Sequence, residues 1–145
     1  MIKSYLPSFV FLVLLCLSCN FNRSYVNEDG VKEEAMKVVD SFYYHIEYKE
    51  WEKTYRYLFK EFLIHSSELD LKKILERNYE EYGDYYARFI DEWSSLRTVS
   101  NGQEIVECVF LIKAQYKNGE CIEKMGLLKE DGEYKVLSYF IQVRH

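Results

Sequence analysis

The chain has 145 residues, is 48% apolar and 30% charged, and carries a net charge of −5 at neutral pH. That length and balance suit one globular domain, and the acidic surplus excludes nucleic-acid binding through phosphate contacts. Beyond residue 19 there is no Cys-x-x-Cys pair and no histidine cluster, so no metal or cofactor is expected.

Residues 9–20 read FVFLVLLCLSCN. One positive charge, Lys3, precedes this run, and no acid appears before Glu28. A charged start, a short apolar stretch and a small-residue exit is the plan of a secretory signal peptide. A membrane-spanning helix needs about 20 apolar residues, more than this run supplies. A buried core helix would show a polar face at the 3.6-residue period, and none is present. Residues 1–18 are therefore read as a signal peptide. The exit, Leu15-Cys16-Leu17-Ser18-Cys19, resembles the bacterial lipobox, in which a small residue precedes a cysteine that is diacylated on sulfur. Ser18 and Cys19 fit the last two positions, although Cys16 stands where the family prefers leucine. The resemblance implies lipid attachment at Cys19. Two or three acyl chains hold a protein at a bilayer stably, where one holds it only marginally. Simple secretion after cleavage at the same bond is the alternative, and both routes export the protein.

Cleavage leaves 127 residues and shifts the net charge to −6, because the removed segment holds Lys3 and no acid. Residues 19–30 are read as the lipidated cysteine and a polar tether, and residues 31–145 as one domain. Val31, Ala35, Val38, Val39, Phe42 and Ile46 recur at helical spacing. Trp51, Tyr55, Leu58, Phe59 and Phe62 share one face of a second predicted helix. Ser67 and Asp70 form a capping-box variant that starts a third helix through Leu71, Ile74, Leu75, Asn78 and Tyr82. Gly83 closes it.

After Gly83 the period falls to two. Four strands are expected, at 85–99, 103–117, 120–129 and 133–143. The turns are placed at Asn101-Gly102, Asn118-Gly119 and Asp131-Gly132, each a strong hairpin signal. Three helices followed by an antiparallel meander is an α+β arrangement. The helical half, the glycine at its junction with the sheet and the terminal hairpins resemble the NTF2-like or cystatin-like superfamily, in particular small exported bacterial lipoproteins of that shape. The resemblance covers roughly residues 31–143. It implies a curved four-stranded sheet around the helices, often with a pocket between them and often a dimer through the sheet. Fold alone does not assign an activity.

Carrying the register back through the Asn101-Gly102 turn pairs Trp93 with Phe110 and Arg97 with Val106. Phe89, Asp91, Trp93 and Arg97 then share the helix-facing side with Val106, Cys108, Phe110, Ile112 and Ala114. An acid between two aromatics on an inward face is the feature closest to a proton shuttle. Two other readings stay open: a bulge that turns Asp91 to water, or an ion pair with Arg97. Asp91, Trp93 and Tyr55 are the candidate ligand-binding residues, with Asp91 the one candidate acid. Cys108 and Cys121 read as two buried thiols, with a disulfide the alternative. His45, His65 and His145 read as surface or rim histidines. The 14 tyrosines crowd the helices and their junction with the sheet, which suits half-buried packing.

In the last strand Leu137, Tyr139, Ile141 and Val143 are expected on one face and Val136 and Phe140 on the other. A sheet apolar on both faces needs cover on both. Dimerisation or docking of an envelope protein on the outer face is therefore expected. The sequence reads as a membrane-anchored lipoprotein of the bacterial envelope, periplasmic or surface-facing, with a non-catalytic ligand- or protein-binding domain. The alternative is a small isomerase or hydrolase using Asp91.

Overall fold

The computed structural model describes residues 23–62 and 66–142. The predicted signal peptide, Cys19, His65, Val143 and His145 lie outside the described residues. Among the described residues the architecture is α+β, with three helices packed on one face of a five-stranded antiparallel sheet. In chain order these are β1 (Arg23–Val26), α1 (Val31–Glu47), a 3₁₀ helix (Trp51–Tyr57), α2 (Glu68–Tyr82), β2 (Tyr85–Ser100), β3 (Gln103–Tyr116), β4 (Gly119–Glu130) and β5 (Glu133–Gln142). The strands are hydrogen-bonded in sequence order.

The first strand corrects the sequence reading. Arg23–Val26 falls inside the predicted tether, yet it pairs antiparallel with the far end of β2, from Arg23 opposite Val99 to Val26 opposite Leu96. Asn27 ends it. Its side-chain oxygen accepts from the Ser95 amide at 2.8 Å, and its own amide donates to the Ser95 carbonyl at 3.1 Å. A short polar strand of this kind carries almost no periodic signal.

Helix α1 forms where the spacing places it. Ala35, Val39, Phe42, Tyr43 and Ile46 are buried along one stripe. Glu33 and Glu34 in its first turn suit the positive end of the helix dipole. Helix α2 begins at the Ser67–Asp70 capping box, whose reciprocal side-chain and backbone bonds are both 3.1 Å. Gly83, with φ 81° and ψ −154°, closes it in a conformation that L-residues avoid.

The second predicted helix is shorter and tighter than expected. Trp51–Tyr57 is helical, as 3₁₀ turns, and the chain is helical again at Phe62. Thr54 donates its hydroxyl back to the Trp51 carbonyl at 2.6 Å. Leu58 is already extended and bridges Val136 on β5, and the Phe59 amide donates to the Val136 carbonyl at 2.8 Å. Pairing with the sheet edge thus replaces the remaining helical turns.

Two of the three hairpin turns sit where predicted, with Asn101-Gly102 and Asp131-Gly132 all at positive φ. The third is displaced by one residue. Gly119 already pairs with Tyr116, so Lys117 and Asn118 form the tip. Their amides donate to Asp84 and Tyr82, both at 2.8 Å, which docks the turn on the end of α2. The expected pairs Trp93–Phe110 and Arg97–Val106 are present. Cys108 and Cys121 are both buried free thiols. Among the described residues no helix is long and apolar enough to cross a membrane.

Candidate functional site

The predicted acid does not face the helices. Asp91 is the extra residue of a bulge: Ile90 pairs with Ile112 and Glu92 with Leu111, leaving Asp91 without a partner strand residue. It is exposed, as is Phe89. The bulge shifts the phase of the strand, so Trp93 and Ile90, and not Asp91, flank the core on this strand. Asp91 makes no pair with Arg97 either. That guanidinium is held by both oxygens of Glu28 at 2.8 Å and by Glu104 at 2.9 Å. Trp93 is half-buried, with the Lys32 ammonium 5.3 Å above its ring. Tyr55 is half-buried against the core from the 3₁₀ helix. The structure does not gather these three residues into one pocket.

The polar centre of the helix-covered face is Glu123. On β4 the alternation Cys121, Glu123, Met125, Leu127 points inward, and all four are buried. Glu123 has no solvent exposure. Its Oε1 accepts from the Tyr116 hydroxyl at 2.8 Å, the Cys121 thiol at 3.2 Å and the Asn78 amide at 3.4 Å. Its Oε2 accepts from the Tyr139 hydroxyl at 2.6 Å and from the Tyr43 hydroxyl. Asn78 also donates to the Tyr116 oxygen at 2.7 Å, which leaves the Tyr116 proton for the carboxylate. Every contact is a donor aimed at an acceptor, the arrangement an ionised carboxylate requires.

Burying a carboxylate costs several kcal/mol unless charge or hydrogen bonds offset it. None of the ion pairs among the described residues involves Glu123. The nearest cationic support is indirect. Arg88 lies 4.9 Å over the Tyr43 ring, donates to the Tyr85 hydroxyl at 3.0 Å and pairs with Asp40. Burial, and then the Glu123 charge, push the ionisation of Tyr43, Tyr116 and Tyr139 well above the ordinary phenol range. These phenols therefore stay protonated donors at neutral pH. Burial also raises the Cys121 thiol, with Glu123 as the next cause. Burial lifts the Cys108 thiol to about 11, against a lowering hydrogen bond with Tyr134.

Glu123 has no solvent exposure, although its donor Tyr139 also lines a groove of about 440 Å³ with Phe62 and Leu137. Beside Tyr116 lies a space of about 10 Å³, bounded by Trp51, Leu75 and Tyr85 among others. That is at most the room of one water. Five donors share the two oxygens of this carboxylate. Its work is to hold α1, α2, β3, β4 and β5 in one arrangement.

The sequence signal for Glu123 was available. A lone acid within the inward run Cys121 to Leu127 is flanked by residues that all belong inside. His45 is likewise satisfied, by Glu50 at 2.8 Å and the Tyr57 hydroxyl at 3.4 Å.

Other grooves lie on the surface, the largest about 440 Å³ beside Phe62, Leu137 and Phe140 and another of about 380 Å³ beside Val38, Tyr57 and Lys135. A groove of about 240 Å³ at the β1 end is lined by Arg97, Glu28, Glu34, Glu104, Lys129 and Tyr134, among others. Its cations are already neutralised, Arg97 as above and Lys129 by Glu34 at 2.7 Å. A further surface is the open face of the sheet. Here Phe89, Leu96, Ile105 and Phe140 are 57%, 43%, 51% and 60% exposed. A shallow groove of about 300 Å³ runs over Val109 and Leu111 between Glu92 and Lys124.

On β5 a bulge after Val136 turns both Val136 and Tyr139 inward. The expected grouping of Leu137 with Tyr139 and of Val136 with Phe140 is thereby corrected, and Phe140 stands on the open side opposite Lys124. Compared with protein-family models, with curated proteins and with solved structures, the chain matches none.

Proposed function

We propose that the chain is an exported bacterial lipoprotein, held at a membrane by acyl chains on Cys19, and that its domain binds another envelope component without catalysing a reaction. The observation that carries the binding half is the contrast between the two faces of the sheet. The helix-covered face is filled and its carboxylate saturated, whereas the open face presents Phe89, Leu96, Ile105 and Phe140 to solvent. Exposed apolar side chains that share one uncovered sheet face with half-buried Val109 and Leu111 are what support an interaction site there. Asp91, exposed on a bulge, lends no support to an isomerase or hydrolase. The anchor half rests on the brief apolar run and the Ser18-Cys19 exit. Helices followed by a meander are what support the likeness to NTF2-like or cystatin-like domains.

Mass spectrometry of protein extracted from its native membrane tests the anchor. The expected amino-terminal residue is Cys19 bearing a diacylglyceryl thioether. An intact Met1 or an unmodified Cys19 thiol refutes it. For the binding half, Phe140→Lys is expected to abolish co-purification of the envelope component while leaving the fold intact.

A further inference from the structure

The two edges of the sheet differ. One edge, β1, is short and carries a cation, Arg23. The other is β5, whose last stretch, residues 137–142, reads LSYFIQ, with no charge and no proline. Edge strands are commonly blunted by lysine or proline, because their unpaired backbone groups are a template for another strand. Beyond the bulge at Leu137 this edge carries neither.

The chain itself shows how the edge is used. Leu58 bridges Val136 in parallel, and the Phe59 amide donates to the Val136 carbonyl at 2.8 Å. The chain then turns away, the Phe62 amide donating to the Phe59 carbonyl at 3.0 Å. Among the described residues no strand continues the pairing past Val136. Residues 138–142, about 17 Å of extended backbone, are thus open on their outer side.

A groove of about 440 Å³ lies between the departing segment and β5. Phe62, Leu137 and Phe140 line it, together with Glu61 and Ser138. The Glu61 Oε2 is buried and has no hydrogen-bond partner among the described residues. A buried acceptor without a donor is costly, so it marks where an incoming donor belongs.

We propose that β5 is a strand-addition site, and that its occupant is an extended segment of a partner protein with apolar side chains at alternate positions and a basic one beside them. The segment continues the ladder past the point where residues 58–59 leave it. Its alternate side chains enter the groove against Phe62 and Leu137, and the basic one meets Glu61. In this mode backbone bonds supply affinity and the side-chain pockets supply selectivity. The site goes beyond the reading of the open face, because Glu61 and Phe62 take no part in that face.

Fluorescence anisotropy on the full chain in detergent tests the inference. The probe is a capped, labelled peptide in which threonine alternates with valine, one valine being replaced by arginine. The wild type is expected to bind it with a Kd below about 100 µM, and hydrogen exchange is expected to slow at residues 138–142. The same peptide methylated at its amide nitrogens keeps its side chains and is expected to bind at least about tenfold more weakly. Glu61→Lys, checked for folding by circular dichroism, is expected to reverse the charge preference. It should favour by at least about fivefold a peptide with glutamate in place of the arginine. Equal binding of the methylated peptide overturns strand addition. An unchanged preference in Glu61→Lys overturns the proposal, as does a wild type that binds none of these peptides at about 1 mM. If the chain alone self-associates with residues 138–142 already protected, the occupant is a second copy and the proposal fails.

Discussion

Tyr139 on β5 donates its hydroxyl proton to Oε2 of Glu123 on β4 at 2.6 Å, within a core where both residues are buried. The pair is diagonal across the sheet, since Tyr139 lies opposite Met125 and Glu123 opposite Ile141. Tyr43 reaches the same oxygen from α1 and Tyr116 reaches the other from β3. Removing any one phenol oxygen takes a donor from a buried anion. Tyr43→Phe, Tyr116→Phe and Tyr139→Phe are each expected to lower stability by about 1.5–3 kcal/mol, the range for a hydrogen bond to a charged group. Urea unfolding checks this. The double variants should depart from additivity, because the donors share one acceptor.

The same phenols make the fold sensitive to base. Their ionisation is raised in the native state, so above pH of about 10 the unfolded chain releases protons that the native chain keeps. Stability contributed by these groups is full below that pH and falls as pH rises. Each adds about 1.4 kcal/mol of loss per pH unit. Cys108, lifted to about 11, adds a loss that begins near the ordinary thiol value and levels off above about 11. Urea midpoints measured from pH 7 upward should be flat and then fall steeply. Tyrosinate absorbance of the three phenols should appear only together with unfolding.

Asp91→Asn should change stability by less than about 0.5 kcal/mol, as for other surface substitutions. Among the described residues the exposed carboxylate on the β2 bulge has no hydrogen bond or ion pair to lose. Thermal unfolding of the variant checks this, and a large shift would mean that Asp91 is held against the core after all.

Gly83 is the position where the backbone demands glycine. Its φ of 81° with ψ of −154° is almost closed to other residues, and a β-carbon there would stand 3.0 Å from the Asn118 side-chain amide. Gly83→Ala is expected to cost about 1–3 kcal/mol. Hydrogen exchange should show the loss first at Lys117 and Asn118, whose amides hold the β3–β4 turn to the end of α2.

Much of the architecture is legible in the residues. Ala35 to Ile46 mark α1 by their spacing, Ser67 and Asp70 mark the start of α2, and Gly102 and Gly132 mark two turns. The pairings of Trp93 and Arg97 follow from counting back through the first turn. What the residues do not announce is the insertion of one extra residue in a strand. The bulges at Asp91 and after Val136 leave composition and alternation nearly unchanged, yet each reverses the facing of the residues next to it, and a further irregularity at Tyr86 returns Tyr85 to the buried side. Of the readings the sequence leaves open for Asp91, the bulge that turns it to water is the one present. The end of the second helix is hidden for a different reason, because the contact of Leu58 and Phe59 with Val136 is long-range. Glu123 was legible but outweighed, since acids on strands usually face water.

The most direct measurement is carbene footprinting of the full chain in its native membrane against the same chain dispersed in detergent at high dilution. Phe89, Leu96 and Phe140 are expected to be protected in the membrane and labelled after dispersal, with Phe42 and Phe110 unlabelled in both. Equal labelling of the three open-face residues in both states would contradict the assignment of that face as the working surface.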